Sequence, residues 1–517
     1  MMEHIVNTSI LWRLISKWTL ALALCTTAPQ QVSSDTIPVT AAPEIQLRER
    51  SSTLMFDYQT VKLTNGGSLD LLGYHMMTPV NNWLSVGLGS YAPVSQGNYG
   101  GFMAFGGLLH TQRNISDRMF VTGGFSFGGG GGGSSVAQSV ELSGTGGFAK
   151  AYTGLGYRFK NFSVGVNISH FKFFKSAIDS SQFNVFLQLP TSFRTARHSL
   201  AGDTFSLSKP ARTYQGPESM VFLGLDNYNQ IDPVGSSKGM IQAVDLQYSR
   251  FLSEKTYLYY ALGVGIKGLP TYNQVIGGIG SRFKLSPWVN LYAQVGIGSG
   301  GYAPSLIDTG SGLLAYPKVS AEYMVNQRTG LAVTAGYLIA PDGTSKNVTF
   351  GFALNSHFGA AAKSQSANQR NEGKYRGHRL SVSNEIKIST AFRGVELGQV
   401  KLLNAQLDRM FNEIFYMAYR GSIALEAYKG KPGYGEVSVG LGVQSKYRED
   451  SVFQYFTELQ AGVNVEGTIV RAGAGMIYSL TEDVGLRGVA SQTMGHERFR
   501  STNLELGLTY RFSSAKF

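Results

Sequence analysis

The residues best suited to chemistry are the eight histidines, His4, His75, His110, His170, His198, His357, His378 and His496. None has a second ligand at the spacing a metal site needs. The single cysteine, Cys25, excludes a Cys-built zinc or iron–sulfur centre and a disulfide framework. No Walker loop, nucleophile elbow or HExxH occurs. The glycine run at 128–133 lacks a following Lys and a strand-to-helix context, so it reads as a flexible surface loop rather than a phosphate loop. Ser169-His170 puts a hydroxyl beside an imidazole, the pair that acyl transfer uses. Phe171-Lys172-Phe173 follows directly, and no further catalytic motif completes it. The sequence therefore predicts no enzyme, no cofactor and no metal.

What must position these residues follows from composition. Among 517 residues, 64 are Gly, about one in eight against a usual ~7%. Tyr and Phe contribute 27 and 30, charged residues only 15%, and mean hydropathy is −0.06. That hydropathy excludes a helical membrane bundle, and 43% hydrophobic with 12% aromatic excludes a disordered chain. Strands alternating a lipid-facing and a lumen-facing residue give this profile. Near the N-terminus, Arg13 and Lys17 precede the apolar stretch 19–24, which predicts a secretory signal over 1–34. Cys25 invites a lipoprotein reading, but Leu24 stands where a small residue is wanted, so a signal cysteine lost on cleavage is expected. Residues 35–50 read as a periplasmic segment, too short for a plug domain.

From residue 51 onward the apolar pattern has period two. Leu258, Tyr260, Leu262, Val264 and Ile266 share one face, with Tyr259, Ala261, Gly263, Gly265 and Lys267 opposite. Val289, Leu291, Ala293, Val295 and Ile297 repeat this, as do Phe162, Val164, Val166 and Ile168. Runs of ~9–11 residues are long enough for a tilted strand to cross a bilayer. Nine short turns (78–82, 114–117, 158–161, 252–255, 284–287, 326–328, 412–413, 448–451, 481–483) alternate with longer Gly/Ser/Asn-rich loops. Grouped in threes, they predict three units of eight strands over 51–189, 220–358 and 380–512. The fold expected is all-β: a transmembrane antiparallel barrel of about 24 strands, with three tandem eight-stranded barrels as the alternative. Between units, 190–219 and 359–379 are polar connectors. Arg194, Arg197, Lys209 and Arg212 against Asp203 and Glu218 give the first +2. Lys363, Arg370, Lys374, Arg376 and Arg379 against Glu372 give the second +4 of the chain's +12. They read as solvated linkers on the side of the termini.

The closing strand, Glu505-Leu-Gly507-Leu-Thr-Tyr510-Arg-Phe512, resembles the C-terminal assembly signal of Gram-negative outer-membrane β-barrel proteins, with a departure in the tail 513–517. The resemblance extends over 51–512 in architecture. It implies the cell outer membrane, contact with its lipid and lipopolysaccharide, and insertion by the barrel-assembly machinery, with Glu505, Gly507, Tyr510 and Phe512 as the signal. Only a partial match at the end of unit two, Thr349–Leu354, and none at the end of unit one, Phe183–Leu189, favour a single chain-long barrel, whose wide lumen would pass or export hydrophilic material such as polysaccharide or another polymer. Lys267, Arg420 and Arg487 are then candidate lumen charges, and periplasmic export partners follow. Three small filled barrels would instead make a scaffold or adhesion platform, and Ser169-His170 alone keeps a lipid-modifying enzyme in view. No compact basic patch with interleaved aromatics points to nucleic acid.

Overall fold

The computed structural model describes residues 43–517 apart from 133–139, 209–217, 232–239, 270–271, 302–306, 327, 359–371, 447–451 and 517. The signal-peptide reading and Cys25 lie outside the described residues.

The strands close into three antiparallel barrels of eight. In the first, Arg48–Lys62 pairs with both Ser68–Pro79 and Asp179–Thr195. In the second, Ser219–Gln230 pairs with Met240–Phe251 and Lys346–Phe358. In the third, Glu372–Phe392 pairs with Val395–Met410 and Arg500–Lys516. The 24 barrel strands and three repeats match the sequence pattern. The single wide barrel gives way to its alternative, because each unit's first strand finds its second partner in the same unit's last strand. That satisfies both edges locally and closes a far shorter loop than a chain-long barrel would.

Side chains follow the period-two expectation. Phe162, Val164, Val166 and Ile168 are exposed on the outside, whereas Ser163, Asn167 and Ser169 are buried in the lumen. Leu504, Leu506 and Leu508 likewise stand outside, with Glu505 and Thr509 inside. Several of the short turns share one chemistry: a side-chain oxygen at the corner accepts backbone N–H groups just beyond it. Asn81 Oδ1 accepts from Trp83 and Leu84, Ser253 Oγ from Lys255 and Thr256, Ser286 Oγ from Trp288 and Val289, and Asn412 Oδ1 from Ile414 and Phe415. The turn at 448–451 lies outside the described residues.

Several boundaries differ from the sequence reading: the first barrel's opening strand begins at Arg48, within the segment read as periplasmic, rather than at 51. The first barrel's last strand runs past 189 to Thr195, and the third barrel occupies Glu372–Lys516 rather than 380–512. The tail after Phe512 is strand, since Ser513–Lys516 pairs with Lys374–Gly377. The glycine run is not simply a loop: Gly128–Gly131 ends the strand Met119–Gly131.

The described part of the first connector, 196–207, is a cap rather than a solvated linker. Thr204–Ser206 adds a short strand beside Glu372–Lys374 of the third barrel, and Ala196 pairs with Ser513. Phe205, Ala196 and Tyr375 form a small apolar core there with Ile45 and Leu200. Residues 43–46 join it, because Ile45 N–H donates to the Ser206 carbonyl and Gln46 N–H to the Tyr375 hydroxyl. Lys209 and Arg212 lie outside the described residues, as do Lys363 and Arg370.

His198 sits in this cap and is buried. Burial, with the Arg511 and Arg379 guanidiniums close by, pushes its imidazole down to about 3. An undocked cap would leave the ring near ~6.5. Between those values the undocked state takes up a proton that the docked state refuses, so docking is complete above ~6.5 and weakens as pH falls, up to about tenfold per pH unit. The protection of residues 196–206 against hydrogen exchange, corrected for the intrinsic pH dependence of amide exchange, should fall below pH ~6.5, and His198→Gln should flatten that dependence.

Candidate functional site

Function, if it runs through the barrels, must run through their interiors, and these hold most of the buried charge. A repeat emerges here that the sequence reading missed. In each barrel an acid on the first strand meets a base on the sixth: Asp57 with Lys150, Asp226 with Lys318, and Glu385 with Arg471 at 3.7 Å. The signal was available as one inward-parity acid and one inward-parity base at the same strand positions of each unit.

Around that pair each lumen is built differently. In the first barrel Asp57 also contacts His75 Nε2 at 2.9 Å, and Lys150 Nζ lies 4.8 Å from the centre of the Tyr91 ring. Gln59, Ser169, Gln182, Asn184 and Asn167 form a neutral hydrogen-bonded net beside it. Aromatics close the loop-side end, with Tyr91, Phe102, Phe148, Phe171 and Phe173 all buried. At the turn-side end a polar recess of about 580 Å³ opens between Thr53, Asn81, His110, Gln112, Arg113, Arg158 and Gln188. In the second barrel Asp226 accepts from Lys318, Thr334 and Tyr316, and Tyr228 donates to Asp245 at 2.9 Å. Nearer the turns, Glu322 gathers Asn290, Tyr292, Asn355 and His357, while Arg282 pairs with Glu218.

The third barrel is the most charged. Glu385, Glu458 and Glu505 face Arg420, Arg471 and Arg487, all buried. Arg471 reaches Glu458 at 2.6 Å and Glu505 at 3.0 Å, Arg420 reaches Glu505 at 2.9 Å, and Arg487 reaches Glu458 at 3.0 Å. Arg379 pairs with Asp408 at 2.6 Å, and Lys387 with Glu436 at 3.0 Å. Charges taken out of water this completely require partners, and each acid here has at least one.

The candidate residues are thus sorted by geometry. Arg420 and Arg487 line the third lumen, where they are held in ion pairs. Lys267 does not face a lumen: its strand ends there and the residue is exposed at the loop-side rim. Arg379, read as part of a connector, is a buried lumen residue. Of the closing-strand motif, Tyr510 and Phe512 continue the outer face, whereas Glu505 belongs to the internal ion cluster. A Cβ on Gly507 would strike the Val382 carbonyl and Ser383 of the neighbouring strand, so the strand pair closes tightly there. Ser169 and His170 project to opposite faces. Ser169 is buried in the lumen net, and His170 is outside beside Asp179 and Ser181, so they cannot act as one pair. Among the described residues no cluster of three or more His, Cys, Asp or Glu has metal-binding geometry.

The outer faces carry bands of exposed Leu, Val, Ile and Phe, with Trp83 and Trp288 beside turns. Closed antiparallel barrels with apolar outsides and polar interiors have the architecture of Gram-negative outer-membrane proteins. No family model matches the chain, and no curated protein matches it. Among solved structures it is similar to the Yersinia pestis outer membrane protein Ail (15% identity, 28% of this chain and 100% of that one, TM-score 0.21). It is also similar to the siderophore receptor PirA of Acinetobacter baumannii (10%, 92% and 81%, TM-score 0.27). A third similarity is to Pseudomonas aeruginosa OpdQ (8%, 90% and 97%, TM-score 0.20).

Proposed function

We propose that the protein is an outer-membrane scaffold: three covalently linked, side-chain-filled barrels that present long loops on one side and a capped surface on the other. The observation that carries this reading is the occupation of each lumen by paired charges and aromatics. Eight strands enclose space for side chains or one small ligand, so a polymer such as polysaccharide has no passage of its own width. Periplasmic partners would meet the cap built from the first connector and residues 43–46.

A second reading, transport of small polar solutes, rests on the recess at the turn side of the first barrel. Arg113, Arg158 and His110 there would favour anions, and the route onward would pass the Asp57–Lys150 pair. Planar-bilayer recordings of the folded mature chain separate the two. The scaffold reading expects no steps from protein that is folded by heat-modifiable gel mobility. Small anion-selective steps that vanish in Arg113→Gln/Arg158→Gln would establish transport through the first barrel instead.

A further inference from the structure

We infer that the apolar cavity where the three barrels meet holds an acyl chain of an outer-leaflet membrane lipid. The cavity measures about 270 Å³ and is walled by all three barrels: Leu88 and Phe105 of the first, Leu262 and Val264 of the second, Ile423 and Val437 of the third. These are outward-facing positions, the set that elsewhere forms the exposed apolar bands. The wall continues to Met103, Gly131 and Gly433, at or beyond the loop-side strand ends, so the cavity lies in the loop-side half of the membrane. The carboxylate bordering it, Glu436, is already engaged inside the third barrel by Lys387 and Tyr434.

The space is bounded by real contacts. The first and second barrels meet through the stacked rings of Tyr74 and Tyr260, 4.2 Å apart, and through Gly100 N–H donating to the Gly310 carbonyl at 2.9 Å. The first and third barrels touch backbone to backbone at Gly131 and Gly433. Between these contacts the third barrel's wall stands back, since a Cβ on Gly421 would meet nothing within 4 Å. Water does not fill such a place, because an apolar cavity of even ~150 Å³ stays dry and takes apolar ligands instead. The medium wetting the outer bands is hydrocarbon, and the cavity has the same lining, so an acyl chain is the occupant its chemistry selects. Because the three walls belong to one polypeptide, a chain enclosed there exchanges more slowly than lipid around the rim.

The inference is independent of whether any lumen conducts. Its test begins with the full mature chain, extracted from outer membranes in mild detergent and examined by native mass spectrometry. One lipid mass should persist through a wash that strips peripheral lipid, and Gly421→Trp, which fills the cavity, should lower its occupancy at least tenfold while heat-modifiable mobility is kept. Absence of bound lipid from the wild type, unchanged lipid in the folded variant, or a free fatty acid in place of a lipid would overturn it. Should Gly421→Trp fail to fold, Ile423→Trp reports from the cavity wall. A phospholipid brominated along its acyl chain should quench that tryptophan when present during folding, and much less when added to vesicles afterwards. Equal quenching in both orders would overturn the inference.

Discussion

Glu458→Gln should destabilise the third barrel by about 3–5 kcal/mol, the range for breaking a buried ion pair by removing one partner. The substitution keeps shape and deletes charge. Glu458 is the acid that both Arg471 and Arg487 engage, and Gln406 donates to it as well. Neutralising it leaves two guanidiniums in a closed lumen with only Glu505 and the more distant Glu385 to share. The companion variant Glu458→Gln/Arg487→Met removes an acid and a base together, and should be more stable than Glu458→Gln alone, since an apolar replacement of a buried pair is often neutral or better. The chain's tryptophans are Trp12, Trp18, Trp83 and Trp288, none of them in the third barrel. Tyr455→Trp, on the outer face, therefore supplies a local probe for urea unfolding of that barrel. A loss under ~1 kcal/mol would mean that water screens the cluster. It would turn the third lumen from a packed core into a solvated passage, and so count against the scaffold.

Much of this arrangement was legible in the residues because period two is a local property. Whether a side chain enters the lumen depends on its parity along one strand, so Arg420, Arg487 and the outer leucines of the closing strand could be placed without any knowledge of partners. Parity fails where the strand stops: Lys267 has the inward phase, but its strand ends at that residue and Gly268 turns with φ of 84°. Closure is different in kind, because alternation carries no information about which distant strand completes a ladder. The acid–base pairs between first and sixth strands of one unit do carry it. Asp57 needs Lys150 within reach across the same lumen, and in a single chain-long cylinder they would stand far apart. The cap over the third barrel was hidden by its polarity. Phe205 and Leu200 are too few and too scattered to give a periodic signal, and their partner Tyr375 is contributed from a remote part of the chain.

Gly129→Leu should part the first barrel from the third while leaving each barrel closed. Gly129 lies on the outer face of its strand, in phase with Phe125 and Phe127, which are exposed. A Cβ there would collide with the backbone carbonyl of Ala424 in the third barrel, and one at Gly131 with the backbone of Pro432 and Gly433. Small residues let backbones approach in a membrane, where no hydrophobic force between apolar surfaces drives them together. An obstruction by backbone cannot be relieved by a rotamer change, so the barrels themselves must move. Overpacking of this kind typically costs about 1–3 kcal/mol. The effect on geometry is larger than on stability, because the covalent chain still holds the units near one another. Spin labels on Ile115 and Phe411, exposed residues near turns of the first and third barrels, should give a narrow distance distribution in the wild type and a longer, broader one in Gly129→Leu. Gly421→Ala is the control, since its added methyl meets open space. If Gly129→Leu leaves the distribution unchanged, the glycine strand end does not set the approach of the two barrels.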